Sequence, residues 1–126
     1  MPDNASGAWD LIAYPWHLDE RIPDFPVPAG TVATIVPPLP DGAVASRVNV
    51  LQRAVADAVA GAARPLLLSG DCPAGLAVAA GLQRRHPEIA VAWLDAHGDF
   101  NTRDWTAPRY RDCDSPRAQV PRSATS

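Results

Sequence analysis

The sequence predicts an α/β fold in which helices cover a parallel sheet. Three observations carry that expectation. Apolar segments alternate in the order strand, helix, strand, helix, strand, the pattern of parallel strands joined by crossover helices. One of these strands, Leu66-Leu67-Leu68, is apolar at every position, as a strand buried on both faces should be. The segments Gly70-Asp71-Cys72 and Asp95 to Asp99 each follow a predicted strand directly. They therefore fall at the carboxyl edge of the sheet, where open α/β folds bind their ligands.

Taken in order, Trp9 to Tyr14 is a short apolar patch that suits a first strand. Pro15, Pro23, Pro26 and Pro28 then exclude a long helix. Trp16, His17, Asp19, Glu20 and Arg21, lying among them, point to an ordered loop. Thr31 to Val36 is β-branched and stops at Pro37-Pro38, which reads as a second strand. Asp41-Gly42 marks a turn. From Val44, the apolar residues Val48, Leu51, Val55 and Val59 follow at spacings of four, three, four and four, one face of a helix. Arg47, Arg53 and Asp57 take polar positions, Gly61 lies near the end and Pro65 prevents continuation.

After Leu66-Leu67-Leu68 comes the turn Ser69-Gly70-Asp71-Cys72. Pro73 suits a first helical residue, with Asp71 or Cys72 near the cap. This helix is expected to run through Leu76, Ala80 and Leu82 to Arg84-Arg85-His86, whose basic side chains complement the dipole at a solvated end. Ile89 to Leu94 is expected to be the next strand, with Trp93 in the core.

At 126 residues the chain suits one domain with a modest core, and its 47% hydrophobic content is ordinary. A net charge of −3 gives no pull towards nucleic acid or an anionic membrane. All 11 basic residues are Arg, which reads as coding-base bias. Cys72 and Cys113 do not form a disulfide-scaffold pattern. Met1 to Gly7 lacks the features of a signal peptide, and no apolar run nears the ~20 residues of a membrane helix, so a cytoplasmic, soluble protein is expected. From Arg103 onward the chain carries five arginines and three prolines without apolar periodicity. Residues 1–102 are accordingly expected to form a partial α/β domain, and 103–126 an irregular, disordered tail.

The chemistry is expected at Asp95, His97 and Asp99. An extended backbone turns alternate side chains to one side, so these three would converge. Two carboxylates beside an apolar run require a neutralising cation, and oxygen ligands with one imidazole suit Mn²⁺, Zn²⁺ or Fe²⁺. The structural alternative makes Asp95 a cap and His97 and Asp99 a solvated turn. Cys72, near a helix N-terminus, has a setting that lowers a thiol pKa, and a Cys72–His97 nucleophilic pair is a minor alternative. His17 is a lesser ligand candidate, and His86 complements a helix dipole. Gly70 and Gly75 do not make a phosphate loop.

Asp95-Ala96-His97-Gly98-Asp99, followed by Asn101-Thr102, resembles the D-A-H-x-D-x-x-T signature of the ureohydrolases, the family of arginase, agmatinase and formimidoylglutamase. Ser69-Gly70-Asp71-Cys72 stands where that family has G-G-D-H. The likeness covers about Leu66 to Thr102 well and the earlier residues loosely. It implies a three-layer α/β/α parallel sheet of the arginase type, of which this chain would hold only the N-terminal part. It also implies a binuclear Mn²⁺ centre whose bridging hydroxide attacks the carbon of a small guanidino or amidine substrate, giving urea or a related amide and an amine. By position, Asp95, His97 and Asp99 match metal ligands, Asp99 would also orient the hydroxide, and Asn101 matches a substrate-binding position. Family members often form homo-oligomers.

Two departures qualify the expected activity. Cys72 replaces a histidine ligand, and its softer thiolate suits Zn²⁺ better than Mn²⁺. The family's later S-x-D-x-D-x-x-D stretch has no counterpart, because Asp112-Cys113-Asp114-Ser115 differs and comes too soon. The resemblance therefore implies a C-terminally truncated member with weak or no activity, with the change at Arg103 of the kind a frameshift or premature stop makes. The alternatives are a non-catalytic single-Zn²⁺ module built on Cys72, Asp95, His97 and Asp99, or a non-functional fragment.

Overall fold

A computed structural model describes residues 7–96 of the chain. The chain divides into two compact units, Met1–Ala90 and Val91–Ser126. In the first, the order is β1 (Asp10–Tyr14), β2 (Trp16–His17), β3 (Glu20–Arg21), β4 (Ala33–Thr34), α1 (Val44–Gly61), β5 (Pro65–Ser69) and α2 (Ala74–Gln83). The fold is α/β, with a parallel three-stranded sheet of order β4-β1-β5.

β1 lies in the middle because both of its edges are used. It pairs with β5 along its whole length, from Asp10 opposite Pro65 to Tyr14 opposite Ser69. On its other edge Ile12 and Ala13 face Ala33 and Thr34. Val32 N–H donates to the Leu11 carbonyl and Ile35 N–H to the Ala13 carbonyl, both at 2.8 Å, which extends the contact beyond the two residues of β4. At the other end of the strand, the Asp10 carboxylate accepts from the backbone N–H groups of Ala63 and Arg64 at 2.8 and 3.0 Å, fixing the α1–β5 connection to the start of β1. The Arg64 guanidinium stacks 4.4 Å from the centre of the Trp9 ring.

The core forms where α1 meets the sheet. Leu51, Val55 and Val59, three of the periodic residues, are fully buried together with Ile12 and Tyr14. Val44, the first of that series, is exposed, because the helix only begins there. α2 packs on α1 through Ala77 and Gly81. A Cβ at Gly81 would lie 2.6 Å from the Ala56 carbonyl oxygen, so only glycine permits this approach. Arg84 and Arg85 are exposed, as expected of a solvated helix end, and they also join the helices. Arg84 pairs with Asp57 at 2.6 Å, and the Arg85 guanidinium donates to the carbonyls of Ala60, Ala62 and Ala63 at the end of α1. Among the described residues, no helix is long and apolar enough to cross a membrane.

Three expectations need correction. The Pro15–Arg21 stretch is not merely a loop, since β2 and β3 pair as an antiparallel hairpin, Trp16 opposite Arg21 and His17 opposite Glu20. The second helix ends at Gln83, before the basic cluster. Ile89 to Leu94 is not a strand, and Val91, Trp93 and Leu94 are exposed, Leu94 at 95%. The reason is pairing: an apolar run becomes a strand only where a ladder satisfies its backbone, and β5 pairs with β1 alone among the described strands.

Gly81→Ala should lower stability by about 1–3 kcal/mol despite alanine's better helix propensity, because the new methyl meets backbone. Urea denaturation checks this, with an unchanged or higher midpoint as the contrary result.

Candidate functional site

The carboxyl ends of β1 and β5 lie side by side, Tyr14 opposite Ser69, and Gly70 N–H donates to the Tyr14 carbonyl at 3.2 Å, carrying the contact one residue further. Two chain segments leave from this edge. One is the β2–β3 hairpin, the other the turn into α2.

The hairpin is anchored on three sides. Trp16 is buried, and its indole N–H donates to the Ile35 carbonyl at 2.7 Å. Ile22 N–H donates to the Pro15 carbonyl at 2.9 Å, closing the base of the hairpin. Asp19 pairs with Arg47 of α1 at 3.4 Å. At its tip Leu18 adopts φ of +53°, a left-handed conformation that costs a non-glycine residue roughly 1–2 kcal/mol.

The turn supplies what offsets that cost. One oxygen of the Asp71 carboxylate accepts from Leu18 N–H at 2.8 Å, and the other from Ala74 N–H at 3.3 Å in the first turn of α2. A hydrogen bond to a charged acceptor contributes about 1.5–3 kcal/mol, enough to hold Leu18 where it is. Ser69 Oγ donates to the Asp71 carbonyl at 2.6 Å and accepts from Asp71 N–H at 3.1 Å, fixing the backbone that carries the carboxylate. Gly70 lets the two segments meet, since a Cβ there would lie 2.6 Å from the Trp16 carbonyl oxygen and strike the Ile22 side chain.

Beneath the turn, Tyr14 is fully buried, and its hydroxyl has no hydrogen-bond partner among the described residues. Burial, and secondarily the negative charge of Asp71, push its ionisation above the ordinary tyrosine range.

The residues expected to carry chemistry are distributed as follows. Cys72 is half-buried between Asp71 and Pro73. His17 is exposed on β2. Asp95 is exposed in the irregular segment that replaces the expected strand. His97, Asp99 and Asn101 lie outside the described residues. Among the described residues, no three His, Cys, Asp or Glu side chains are grouped to hold a metal ion. Each Asp71 oxygen accepts from one backbone amide. The chemistry of the donor set Asp95, His97 and Asp99 still suits a hard or borderline divalent cation. A groove between α1 and α2 is lined by apolar side chains such as Val48, Leu76 and Ala80 together with Gln52, Arg53 and Arg84.

Sequence reasoning placed Asp71 near a helix cap but did not show its bond to Leu18, which joins residues 53 positions apart. It also missed the glycine requirement at position 70, for which the only signal was a glycine directly after a strand.

Known proteins give matches to this chain. A family model described as the arginase family matches residues 13–120. Over 52 residues the chain is 38% identical to mitochondrial arginase-2 of Rattus norvegicus, covering 41% of this chain and 15% of that protein. Over 60 residues it is 32% identical to the N(omega)-hydroxy-L-arginine amidinohydrolase of Streptomyces lavendulae, covering 48% and 22%. Over 66 residues it is 38% identical to the arginase of Bacillus caldovelox, covering 52% and 22%. The matched regions thus span between about a seventh and a quarter of the length of these relatives. No solved structure matches the chain.

Two outcomes follow from the geometry of this edge. Gly70→Ala should cost about 1–3 kcal/mol in urea denaturation by forcing the turn off the hairpin, and a neutral result would refute the close packing. For Tyr14, the folded state resists ionisation while the unfolded chain ionises near pH 10. Its contribution is therefore complete below about pH 10 and is lost as pH rises towards the folded-state value. The fall in stability above about pH 10 should be shallower in Tyr14→Phe, and parallel alkaline curves for the two proteins would contradict this.

Proposed function

Because the chain belongs to the arginase family, we propose that its chemistry is metal-dependent hydrolysis of a C–N bond in a small linear guanidino or amidine compound. The observation that carries this reading is the family match over residues 13–120, which includes Asp95-Ala96-His97-Gly98-Asp99 and the turn at Asp71. The relatives' names, arginase and N(omega)-hydroxy-L-arginine amidinohydrolase, support a guanidino substrate.

In this reading Asp95, His97 and Asp99 would hold Mn²⁺. Cys72 would join them as a thiolate, which would favour Zn²⁺. When bound, the metal supplies Lewis acidity and a water acidic enough to attack at neutral pH. Asp99 orients the attacking oxygen towards the guanidinium carbon. Asn101 binds the far end of the substrate, so that the carbon is presented to that oxygen. A C–O bond forms, the C–N bond breaks, and the departing nitrogen leaves protonated as an amine, with urea as the other product.

The chain as given supplies three of these ligands in one segment, and the sequence holds no second aspartate pair of the S-x-D-x-D-x-x-D kind. Urea release from L-arginine and agmatine by the Mn²⁺-loaded chain should therefore fall below that of a full-length relative by at least the roughly 10–100-fold that loss of a ligand's supporting group alone costs. The trace that remains should vanish in Asp99→Asn. Turnover equal to a full-length relative would overturn the account of an incomplete ligand set, and a trace unaffected by Asp99→Asn would overturn the role of Asp99.

A further inference from the structure

The geometry points to Asp71 as a positioning residue that clamps the β2–β3 hairpin to the first turn of α2, so that the loops leaving β1 and β5 keep one fixed arrangement. The clamp is a single carboxylate with two jobs. Its oxygens accept from Leu18 N–H at 2.8 Å and Ala74 N–H at 3.3 Å, one at the hairpin tip and the other in the first turn of α2. Leu18 has no turn chemistry of its own to favour φ of +53°, as glycine or asparagine would have. The conformation of the hairpin tip, and with it the neighbouring His17, therefore depends on an acceptor supplied from outside the hairpin.

The surroundings aim the carboxylate. Ser69 Oγ bonds both the N–H and the carbonyl of Asp71. Gly70 lets the turn lie against the Trp16 carbonyl. Asp19 and Arg47 hold the hairpin from the α1 side, so loss of the Asp71 carboxylate should free the tip without detaching the whole hairpin. Asparagine offers one carbonyl oxygen in place of two carboxylate oxygens and can satisfy only one of the two amides. Cys72, the residue that stands at the family's ligand position, follows Asp71 directly and shares its turn.

The importance of this clamp for catalysis rests on the proposed function, but the clamp itself does not, and the test keeps the two apart. Amide hydrogen exchange would be measured by NMR on the full chain, without added metal, for the wild type, Asp71→Asn and Asp71→Ala. Asp71→Ala should speed exchange at both Leu18 and Ala74 by about tenfold or more, the amount expected for loss of a bond to a charged acceptor. Asp71→Asn should retain protection at one of the two amides. Val55, buried in the core, should exchange at the wild-type rate in both variants. Unchanged exchange at Leu18 in Asp71→Ala would overturn the clamp. So would loss of protection at Val55 in both variants, since Asp71 would then support the whole core and not the hairpin. Mn²⁺ retention by the wild type, measured separately, bears on the proposed function alone.

Discussion

The fold depends on the two-sided pairing of β1. Its Leu11 and Ala13 carbonyls accept from the β4 side while its full length pairs with β5. A strand paired on both edges is the reference from which the other elements are placed. Ile12 and Tyr14, on this strand, form the floor on which Leu51, Val55 and Val59 pack. The same strand delivers Tyr14 to the carboxyl edge opposite Ser69, so core and candidate site are two parts of one register.

At that edge, polar groups are satisfied in a particular order. Asp71 answers two backbone amides, Trp16 answers the Ile35 carbonyl, and Ser69 braces the turn. The Tyr14 hydroxyl is the exception, buried and without a partner among the described residues. An unpaired buried hydroxyl costs about 1–3 kcal/mol, so the packing of its ring must outweigh that loss. Both glycines that matter, Gly70 and Gly81, serve close approach, one of loop to loop and the other of helix to helix.

The parts that were legible in the sequence are those whose information is local. The spacing of Val48, Leu51, Val55 and Val59 located α1, and Leu66 to Leu68 located β5. The hairpin was illegible because its turn uses Leu18 in a left-handed conformation, with the stabilising acceptor 53 residues away. Thr31 to Val36 was overread, since a strand at the rim of the sheet, paired on one side, keeps only Ala33 and Thr34 in the ladder. Ile89 to Leu94 has β propensity but no strand pairs with it among the described residues, and Leu94 is exposed. Of the site, the sequence marked Asp95, His97 and Asp99 as a ligand pattern, and the structure describes only the exposed Asp95. Asp71 was legible as a cap and not as a tie between loops.

The chain is a member of the arginase family, and within residues 7–90 Asp71 and Gly70 organise the carboxyl edge of the sheet. The central claim is that Asp95, His97 and Asp99 act together as ligands. Titration of the reduced chain with Mn²⁺, followed by electron paramagnetic resonance of the free ion, tests it most directly. The account predicts that the wild type removes up to one equivalent of the free-ion signal and that His97→Ala, folded to the same extent by circular dichroism, leaves that signal in place. Equal depletion by the two proteins, or none by either, would contradict it.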